Sequence, residues 1–374
     1  MDELSRRTLL LGALGATGAT LAGCSGGSAK HPTGSTTPVP SPSVSPAADV
    51  PPRWPLSGIL LKDPAAAHHA AVAVKVPDNK NEHPQVGLDQ ADIVYVELDG
   101  YRDSSGYSST RLVPVFHSHL PSNVAPVRSI RPVDIPMLSP MEAIIGNTGA
   151  TGWVLRYVKH ERAYVEGMLS YLATKGTGAY SIDPSRVRTY QGVTYYDRAV
   201  VCHPAVLARQ TTRFRSGPPQ VYFPFAPTNA QISTVSGKPA RSIHVPWKKG
   251  HSYDMGYAYD ERSGRYLRSM PWGKHVLANG TRVAPDNVLV IRARQHYGKI
   301  YPGPGGAEPL HDIINAKGTF YYAHGGRYVS GTWSKGAVNS RFTFTLSDGS
   351  PLLMAPGQTY VELPQYNAPV RITG

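Results

Sequence analysis

Short apolar segments rich in β-branched residues recur along the chain, separated by stretches dense in Gly, Pro, Ser and Asp. Residues 72–76 and 91–98 are such segments, and an apolar run over residues 112–116 follows a Gly-, Ser- and Asp-rich loop at 99–109. Segments of this length and composition predict strands. The folded part should therefore be built largely from short strands joined by turns.

Helical patterns are fewer. Apolar residues at helical spacing over residues 153–172 predict a helix that covers a sheet face, and Ser139 followed by Pro140 predicts a second helix start. Beyond a Pro-, Ser- and Thr-rich stretch at 211–237, paired strand and turn patterns return, at residues 242–245, 257–260, 265–268, 287–291, 319–323 and 341–345. We predict an α+β protein: an α/β sheet domain at 54–210, a linker at 211–237 and a β-rich domain at 238–365.

The first 24 residues have the pattern of an export signal. Arg6 and Arg7 form a twin-arginine pair, a moderately apolar stretch follows, and the signal ends in Leu-Ala-Gly-Cys at Cys24. This stretch falls short of the roughly 20 apolar residues that span a bilayer. We therefore predict a lipoprotein signal at 1–24, lipidation of Cys24 and anchoring at the extracytoplasmic face of the membrane. The alternatives are an ordinary membrane anchor and a chance match.

Residues 25–53 are rich in Pro, Ser, Thr and Gly and have almost nothing to bury. They predict a disordered tether, since about 28 residues at ~3 Å each give several nanometres of reach.

The chain has a formal net charge of +13, and its basic excess lies in the body from residue 50 onward. A basic body attracts polyanions. The sequence has no signature of a nucleic-acid-binding module, so the partner we expect is an anionic cell-wall polymer or a lipid-linked sugar phosphate, and not a nucleic acid. The alternative is that the charge serves general solubility.

Three arginines surround the predicted strand at 112–116 and its exit: Arg111, Arg128 and Arg131. Arginine binds phosphate and carboxylate with a planar fork of donors. We predict an anion-binding site formed by these arginines, with Asp92 and Asp134 as its acidic side. The alternative is that the arginines pair with neighbouring carboxylates and only hold a turn.

Other chemistry-bearing residues are weaker candidates. Cys202 is followed by His203, so Cys202 could be a nucleophile activated by this histidine. Adjacent side chains point apart, however, so we predict a buried, inert thiol. His117 and His119 on one strand would share a face and suit zinc, but no third ligand stands nearby. We predict no metal and no cofactor. The Gly-rich stretch at 147–152 lacks the Lys-Ser/Thr of a phosphate loop and predicts a turn.

In the carboxy-terminal part, aromatic residues alternate with arginines. They either form a carbohydrate-binding platform or make ordinary cross-strand pairs within a sheet. The aromatic residues are Tyr257, Tyr259, Tyr266, Tyr321, Tyr322, Tyr328 and Trp333, and the arginines are Arg265, Arg268, Arg292, Arg294 and Arg327.

Two stretches of the first half, VAVKVPDNKNEHPQVGLDQADIVYVEL and TRLVPVFHSHLPSNVAPVRSIRPVDIPML, resemble the amino-terminal domain of the YerB-type bacterial lipoproteins. The matching positions are Val74, Lys75, Asp78, Asn79, Pro84, Gln85, Gly87, Leu88, Ala91, Asp92, Ile93, Val94, Tyr95, Thr110, Arg111, Phe116, Pro126, Val127, Arg128, Ser129, Arg131 and Pro132. Near the end, GTWS and APGQT resemble the carboxy-terminal domain of that family. The resemblance implies a two-domain lipoprotein and supplies little chemistry.

The turn at 129–134, Ser-Ile-Arg-Pro-Val-Asp, is also similar to the core of the LytR-CpsA-Psr phosphotransferases. That resemblance implies transfer from polyprenyl-pyrophosphate sugars, with Mg²⁺ at Asp92 or Asp134. Our main expectation is a lipid-anchored envelope lipoprotein that binds an anionic component through Arg111, Arg128 and Arg131. The alternatives are a phosphoglycosyl transferase, and a scaffold with an exposed apolar patch for other envelope proteins.

Overall fold

The computed structural model describes residues 51–102, 108–196, 198–247 and 253–374. These described residues form one compact unit. The predicted signal with Cys24, and nearly all of the predicted tether, lie outside the described residues. Within the described residues, strands greatly outnumber helices, so the α+β prediction is confirmed.

Twenty-two strands lie within the described ranges: β1 (Val72–Val74), β2 (Val76–Pro77), β3 (Ile93–Arg102), β4 (Ser108–Phe116), β5 (Ile144–Gly146), β6 (Tyr180–Ile182), β7 (Arg188–Tyr190), β8 (Val193–Tyr195), β9 (Val200–Cys202), β10 (Lys238–Pro239), β11 (Ser242–Pro246), β12 (Asp254–Asp260), β13 (Arg265–Met270), β14 (Gly273–Lys274), β15 (Asn287–Ile291), β16 (Gln295–Gly298), β17 (Glu308–His311), β18 (Ala316–His324), β19 (Arg327–Lys335), β20 (Phe342–Leu346), β21 (Thr359–Glu362) and β22 (Arg371–Thr373).

The α-helices in the same ranges are α1 (Asp134–Leu138), α2 (Gly152–His160) and α3 (Pro204–Ala208). Short 3-10 helices cover Pro64–Ala67, Lys80–Glu82, Leu88–Gln90, Ser139–Met141, Pro184–Arg186, Asn229–Gln231 and Ser233–Ser236.

One sheet of 11 strands runs through both halves of the chain. Its order is β10-β19-β18-β15-β21-β3-β4-β1-β5, with β2 paired to β4 and β20 to β19. The junction is β21, which pairs in parallel with β15 on one side and with β3 on the other. Strands from the two predicted domains therefore share one set of backbone hydrogen bonds. A second sheet has the order β14-β13-β12-β11-β22.

The centre of the large sheet is apolar on both faces. Ile93, Val94, Tyr95 and Val96 of β3 are all fully buried, as expected for an inner strand that is covered on both sides. The core continues without a break into strands of the second half, such as β15. The predicted linker is also packed: Tyr222 is buried, and its hydroxyl accepts a hydrogen bond from Tyr95 at 2.8 Å. The division into domains stays a prediction.

Two helix predictions need correction. Helix α2 ends at His160 instead of residue 172, because the following backbone pairs with the sheet: Ile145 donates to the Glu166 carbonyl at 2.7 Å, and Glu166 donates to Ala143 at 3.0 Å. Ser139 lies at the C-terminal end of α1 and begins a 3-10 turn, so it does not cap the N-terminus of an α-helix. Within the described residues, no helix is long and apolar enough to cross a membrane.

Candidate functional site

Arg111 is positioned by the hairpin of β3 and β4. It lies directly opposite Glu97 in the antiparallel register, so the two side chains share a face of the sheet. The guanidinium is ion-paired with Asp99 and donates to the Ser129 carbonyl at 2.8 Å and to the Ser129 hydroxyl at 3.2 Å. Arg111 is only 5% exposed. It therefore joins the sheet to the segment that carries the other two arginines.

Arg131 reaches the same two residues from that segment. Its Nε donates to the Asp99 carbonyl at 2.5 Å and its Nη1 donates to the Ser129 hydroxyl at 2.9 Å. Its Nη2 lies 3.7 Å from the Asp99 carboxylate, and Nη1 lies 3.8 Å from Glu308 of β17. Arg111 and Arg131 thus converge on Ser129 and Asp99.

Arg128 lies at the start of this segment, where its backbone N–H donates to the Lys75 carbonyl at 2.8 Å. Its guanidinium is ion-paired with Glu82, which also lies 3.4 Å from Nε of Arg198. The side chains of Arg128 and Arg131 are 17% and 14% exposed. These two arginines are therefore partly exposed, whereas Arg111 is buried. We call Arg111, Arg128 and Arg131 the arginine cluster.

Each guanidinium of the arginine cluster has a carboxylate partner, as the turn-holding alternative expected, although the partners are Asp99 and Glu82. Neither acid was among the predicted site residues. The pairing depends on β3 continuing past Leu98 with an irregular register, which the loop-like composition of residues 99–109 concealed. The signal that was available is the acidic pair Glu97 and Asp99 at strand spacing, both on the face that Arg111 uses.

Asp134 lies beneath the arginine cluster at the start of α1, fully buried. Its Oδ1 accepts from Lys75 Nζ at 2.5 Å and its Oδ2 accepts from the Arg131 backbone N–H at 2.6 Å. Lys75 Nζ also donates a hydrogen bond to Glu97 Oε1. Burial and the nearby Asp134 charge raise the pKa of Glu97 to about 8, against the opposing effect of Lys75. Lys75 and Glu97 were not predicted as site residues, although Lys75 belongs to the family-like motif.

Asp92 is not part of this cluster. Its carboxylate accepts from the backbone N–H groups of His117 and Ser118 at 2.6 and 2.8 Å, and from the Ser118 hydroxyl at 2.5 Å. Asp92 precedes β3 and Asp99 lies seven residues further on, which is roughly 23 Å along an extended strand. Asp92 closes the turn after β4.

The acidic residues do not fit the Mg²⁺ site of the phosphotransferase alternative. Both oxygens of Asp134 accept from protein donors, Asp99 faces two guanidiniums, and Asp92 lies at the other end of the strand. Magnesium needs oxygen ligands that are free to coordinate it. No step through Mg²⁺ can be derived from this arrangement.

A second buried polar cluster joins the two halves of the chain. Arg268 of β13 donates to Asp78 Oδ2 at 2.9 Å and to His275 Nδ1 at 2.8 Å. Burial opposes the Asp78 charge, but Arg268 and His83 hold the pKa of Asp78 well below its usual range. Asp78 and Gln85 are family-like positions whose role the sequence did not reveal.

Asp78, His83 and His275 lie close enough to hold a metal ion. Their hydrogen bonds do not suit one. A guanidinium only donates, so His275 Nδ1 accepts from Arg268 and the proton is on Nε2, which faces Gln85 Oε1 at 2.9 Å. Both ring nitrogens are engaged, and the Arg268 charge lies beside the site. This buried cluster therefore holds the two halves of the chain together through hydrogen bonds.

The histidine pair and Cys202 do not form the sites that were considered for them. Strand β4 ends at Phe116, so His117 is buried in the following turn while His119 is exposed, and the two rings do not share a strand face. Cys202 is a buried free thiol whose pKa is raised by burial. Both observations agree with the prediction that the Cys202 thiol is inert.

The aromatic platform is mostly core. Tyr257, Tyr266, Tyr322 and Trp333 are fully buried, as is Arg268. Cross-strand packing therefore describes these residues better than a carbohydrate surface.

An exposed apolar face occurs elsewhere, on the hairpin of β7 and β8. Arg188 pairs with Tyr195 and Tyr190 with Val193, and strand alternation places these four on one face, opposite Thr189 and Thr194. Tyr190, Val193 and Tyr195 are 63%, 53% and 38% exposed. The scaffold alternative expected a patch of this kind.

Known proteins match both halves. A family model described as protein of unknown function (DUF3048) N-terminal domain matches residues 56–201, and the DUF3048 C-terminal domain matches residues 243–361. YerB of Bacillus subtilis (strain 168), whose name describes it as a lipoprotein, is 24% identical over 319 residues, covering 83% of this chain and 85% of YerB. The crystal structure of Bacillus subtilis YerB has the same fold, with a TM-score of 0.67 and 20% identity, covering 85% of this chain and 99% of that one. The chain therefore belongs to the DUF3048 family of YerB-like proteins.

Proposed function

We propose that the chain is a lipid-anchored envelope protein that binds an anionic envelope component, a wall polymer or a lipid-linked sugar phosphate, through the arginine cluster. One observation carries the proposal: Arg111 and Arg131 converge on Ser129 and Asp99. The pairing of Arg111 with Asp99 fixes the segment that carries Arg128 and Arg131, whose side chains are 17% and 14% exposed. A preorganised guanidinium loses less entropy when it binds an anion.

The Gly-rich stretch at 147–152 supports the same location. Thr148 donates to the Arg128 carbonyl at 3.0 Å and Ile130 donates to the Gly149 carbonyl at 2.9 Å, so this stretch runs beside the arginine segment. Helix α2 begins at Gly152, and its capping residue makes no side-chain hydrogen bond. The N–H groups of a helix N-terminus favour anions, and we propose that those of α2 contribute to the same site.

The test is retention on purified cell walls that bear teichoic acid, and on the same walls stripped of it, at stepped salt concentrations. Arg128→Gln/Arg131→Gln should elute at clearly lower salt than wild type from the intact walls, because two charges that contact the polymer are lost. The control is Arg241→Gln/Arg262→Gln, which removes equal charge from exposed positions. Equal elution of the two double variants would contradict the proposal.

Removal of either arginine takes one of two cations away from a buried acid, Glu82 or Asp99, so folding needs its own control. Arg128→Lys/Arg131→Lys keeps the charge and loses only the bidentate fork. We expect a melting temperature close to wild type and retention between those of wild type and the Gln variant. Retention equal to wild type would mean that fork geometry is irrelevant to binding.

We further propose that Cys24 is acylated after twin-arginine export, which would place the body at the extracytoplasmic face. The name of YerB as a lipoprotein supports this, as does the signal pattern. Metabolic labelling with a palmitate analogue should tag wild type and not Cys24→Ala. Continued labelling of the variant would remove the anchor from the proposal.

A second candidate function, docking of an envelope protein, is favoured by the exposed face of the β7–β8 hairpin. Arg188 lies on that face, so the partner surface would be apolar and acidic. A photo-crosslinking residue at Tyr190 should capture one protein in intact cells, while the same residue at Thr189, on the opposite face, should not. Equal capture at both positions, or none, would count against docking.

A further inference from the structure

A basic cleft of about 500 Å³ lies in the carboxy-terminal part of the chain. It forms where the residues after β15, the residue after β17, the start of β18 and the segment after β21 meet. The side chains that matter are Arg292, Arg294, Asp312, Lys317 and Tyr366. The volume falls within the roughly 300–1,000 Å³ typical of small-molecule sites. The cleft shares no residue with the arginine cluster.

The charges in this cleft are poorly compensated. Three cations line it, and Asp312 is the one carboxylate among its described lining residues. Asp312 lies 3.7 Å from Arg294 and 3.5 Å from His296. The Asp312 carboxylate is thus shared between Arg294 and His296, and its side chain is 41% exposed. The cleft therefore keeps two positive charges in excess, whereas each member of the arginine cluster has a buried acid.

Arg292 is held in place by neutral groups. Its Nε donates to the Tyr366 carbonyl at 2.7 Å, and its Nη1 donates to the Tyr321 hydroxyl at 3.4 Å. These acceptors fix the guanidinium without cancelling its charge. Lys317 makes no ion pair among the described residues and is exposed. Both side chains are thus available to an anion.

Tyr366 adds a second kind of contact. Tyr366 is 56% exposed, and its own backbone carbonyl accepts the hydrogen bond from Arg292. An exposed aromatic ring next to cations suits a ligand with a C–H surface and an attached anion. A phosphate monoester carries about −1.5 to −2 charge at neutral pH, which matches the excess of the cleft better than the single charge of a carboxylate.

We propose that this cleft binds a phosphorylated sugar, with Arg292, Arg294 and Lys317 around the phosphate and Tyr366 against the sugar ring. The inference goes beyond the proposed function, because it assigns a separate site with its own ligand class. The arginine cluster would hold a polymer or lipid-linked ligand, and this cleft a single phosphorylated unit.

Isothermal titration with glucose 1-phosphate, inorganic phosphate and glucose tests the proposal on the body of the protein. Glucose 1-phosphate should bind, and glucose should not. Lys317→Ala and Arg292→Gln should each raise the Kd about tenfold, because each removes one charged contact to the phosphate. Lys274→Ala, which removes an exposed lysine on β14 outside the cleft, should leave the Kd unchanged.

Three results would overturn the proposal. The first is the absence of glucose 1-phosphate binding to a folded wild-type protein. The second is inorganic phosphate binding as tightly as glucose 1-phosphate with Tyr366→Ala lacking any effect, because no sugar subsite would then exist. The third is loss of glucose 1-phosphate binding in Arg128→Gln/Arg131→Gln but not in Lys317→Ala, which would assign the probe to the arginine cluster.

Discussion

Glu97 shows how neighbouring residues set the protonation of a buried carboxyl group. Burial and the Asp134 charge raise its pKa to about 8, while Lys75 and Arg111 lower it. Between about pH 4.5 and 8, the Glu97 carboxyl group of the folded chain therefore keeps a proton that the unfolded chain has already released. Stability must fall as the pH rises through that window, because the folded state binds more protons.

Glu97→Gln should remove this dependence, since an amide cannot ionise. The free energy of unfolding of wild type should fall by up to about 1.4 kcal/mol per pH unit relative to the variant between pH 5 and 8. Urea unfolding at several pH values measures it. Glu261→Gln, at an exposed carboxylate, should keep the wild-type slope. Parallel profiles for wild type and Glu97→Gln would contradict the assigned pKa.

Buried histidines act in the opposite direction at lower pH. Burial lowers the pKa of His117 to about 4 and that of His311 to about 3. Their neutral forms are favoured in the folded state, so stability falls as the pH drops below about 6.5. The Glu97 effect is therefore seen most cleanly as a difference between variants and not in the wild-type profile alone.

At the scale of elements, the segment from Arg128 to Asp134 is held to the sheet by Arg111. Arg111→Met should destabilise the fold by about 3 kcal/mol. The buried Asp99 carboxylate would then keep only its longer contact with the Arg131 guanidinium. The double variant Arg111→Met/Asp99→Asn should cost at least about 1 kcal/mol less than the sum of the single variants. Chemical denaturation of the four proteins gives the coupling energy, and strict additivity would show that the pair does not anchor the segment.

Element types near the site were more predictable than their ends. The composition of β3 and β4 is enough to predict two strands. The arginines, however, meet at Asp99 near the end of β3, and not at the exit of β4, where Asp92 binds the turn. Asp99 was missed because β3 extends into a stretch rich in Gly and Ser, and the Glu308 contact comes from β17, about 175 residues further on. Helix α2 stops early because residues 143–145 bind the backbone of Glu166. The Glu308 contact and the end of α2 both depend on contacts between distant segments. The local sequence pattern cannot predict such contacts.

At the scale of the whole molecule, β21 is the element on which the fold closes. It comes from the last 20 residues of the chain yet lies between β15 and β3, in parallel register with both. Gln358, just before it, donates to the Leu88 and Ala91 carbonyls at 3.1 and 2.8 Å. The buried pair of Arg268 and Asp78 crosses between the halves as well. The two family segments are therefore interdependent.

Residues 51–210 expressed alone should consequently fail to fold cooperatively. Loss of β21 leaves the fully buried residues of β3 on an open sheet edge, which favours aggregation, and loss of Arg268 leaves the Asp78 charge unpaired. Circular dichroism melts and size-exclusion chromatography should show no cooperative transition and soluble aggregates for this fragment, while co-expression with residues 211–374 should restore a monodisperse complex. A cooperative melt for the isolated fragment would show that the first half folds on its own and that the shared sheet forms only when two finished domains dock.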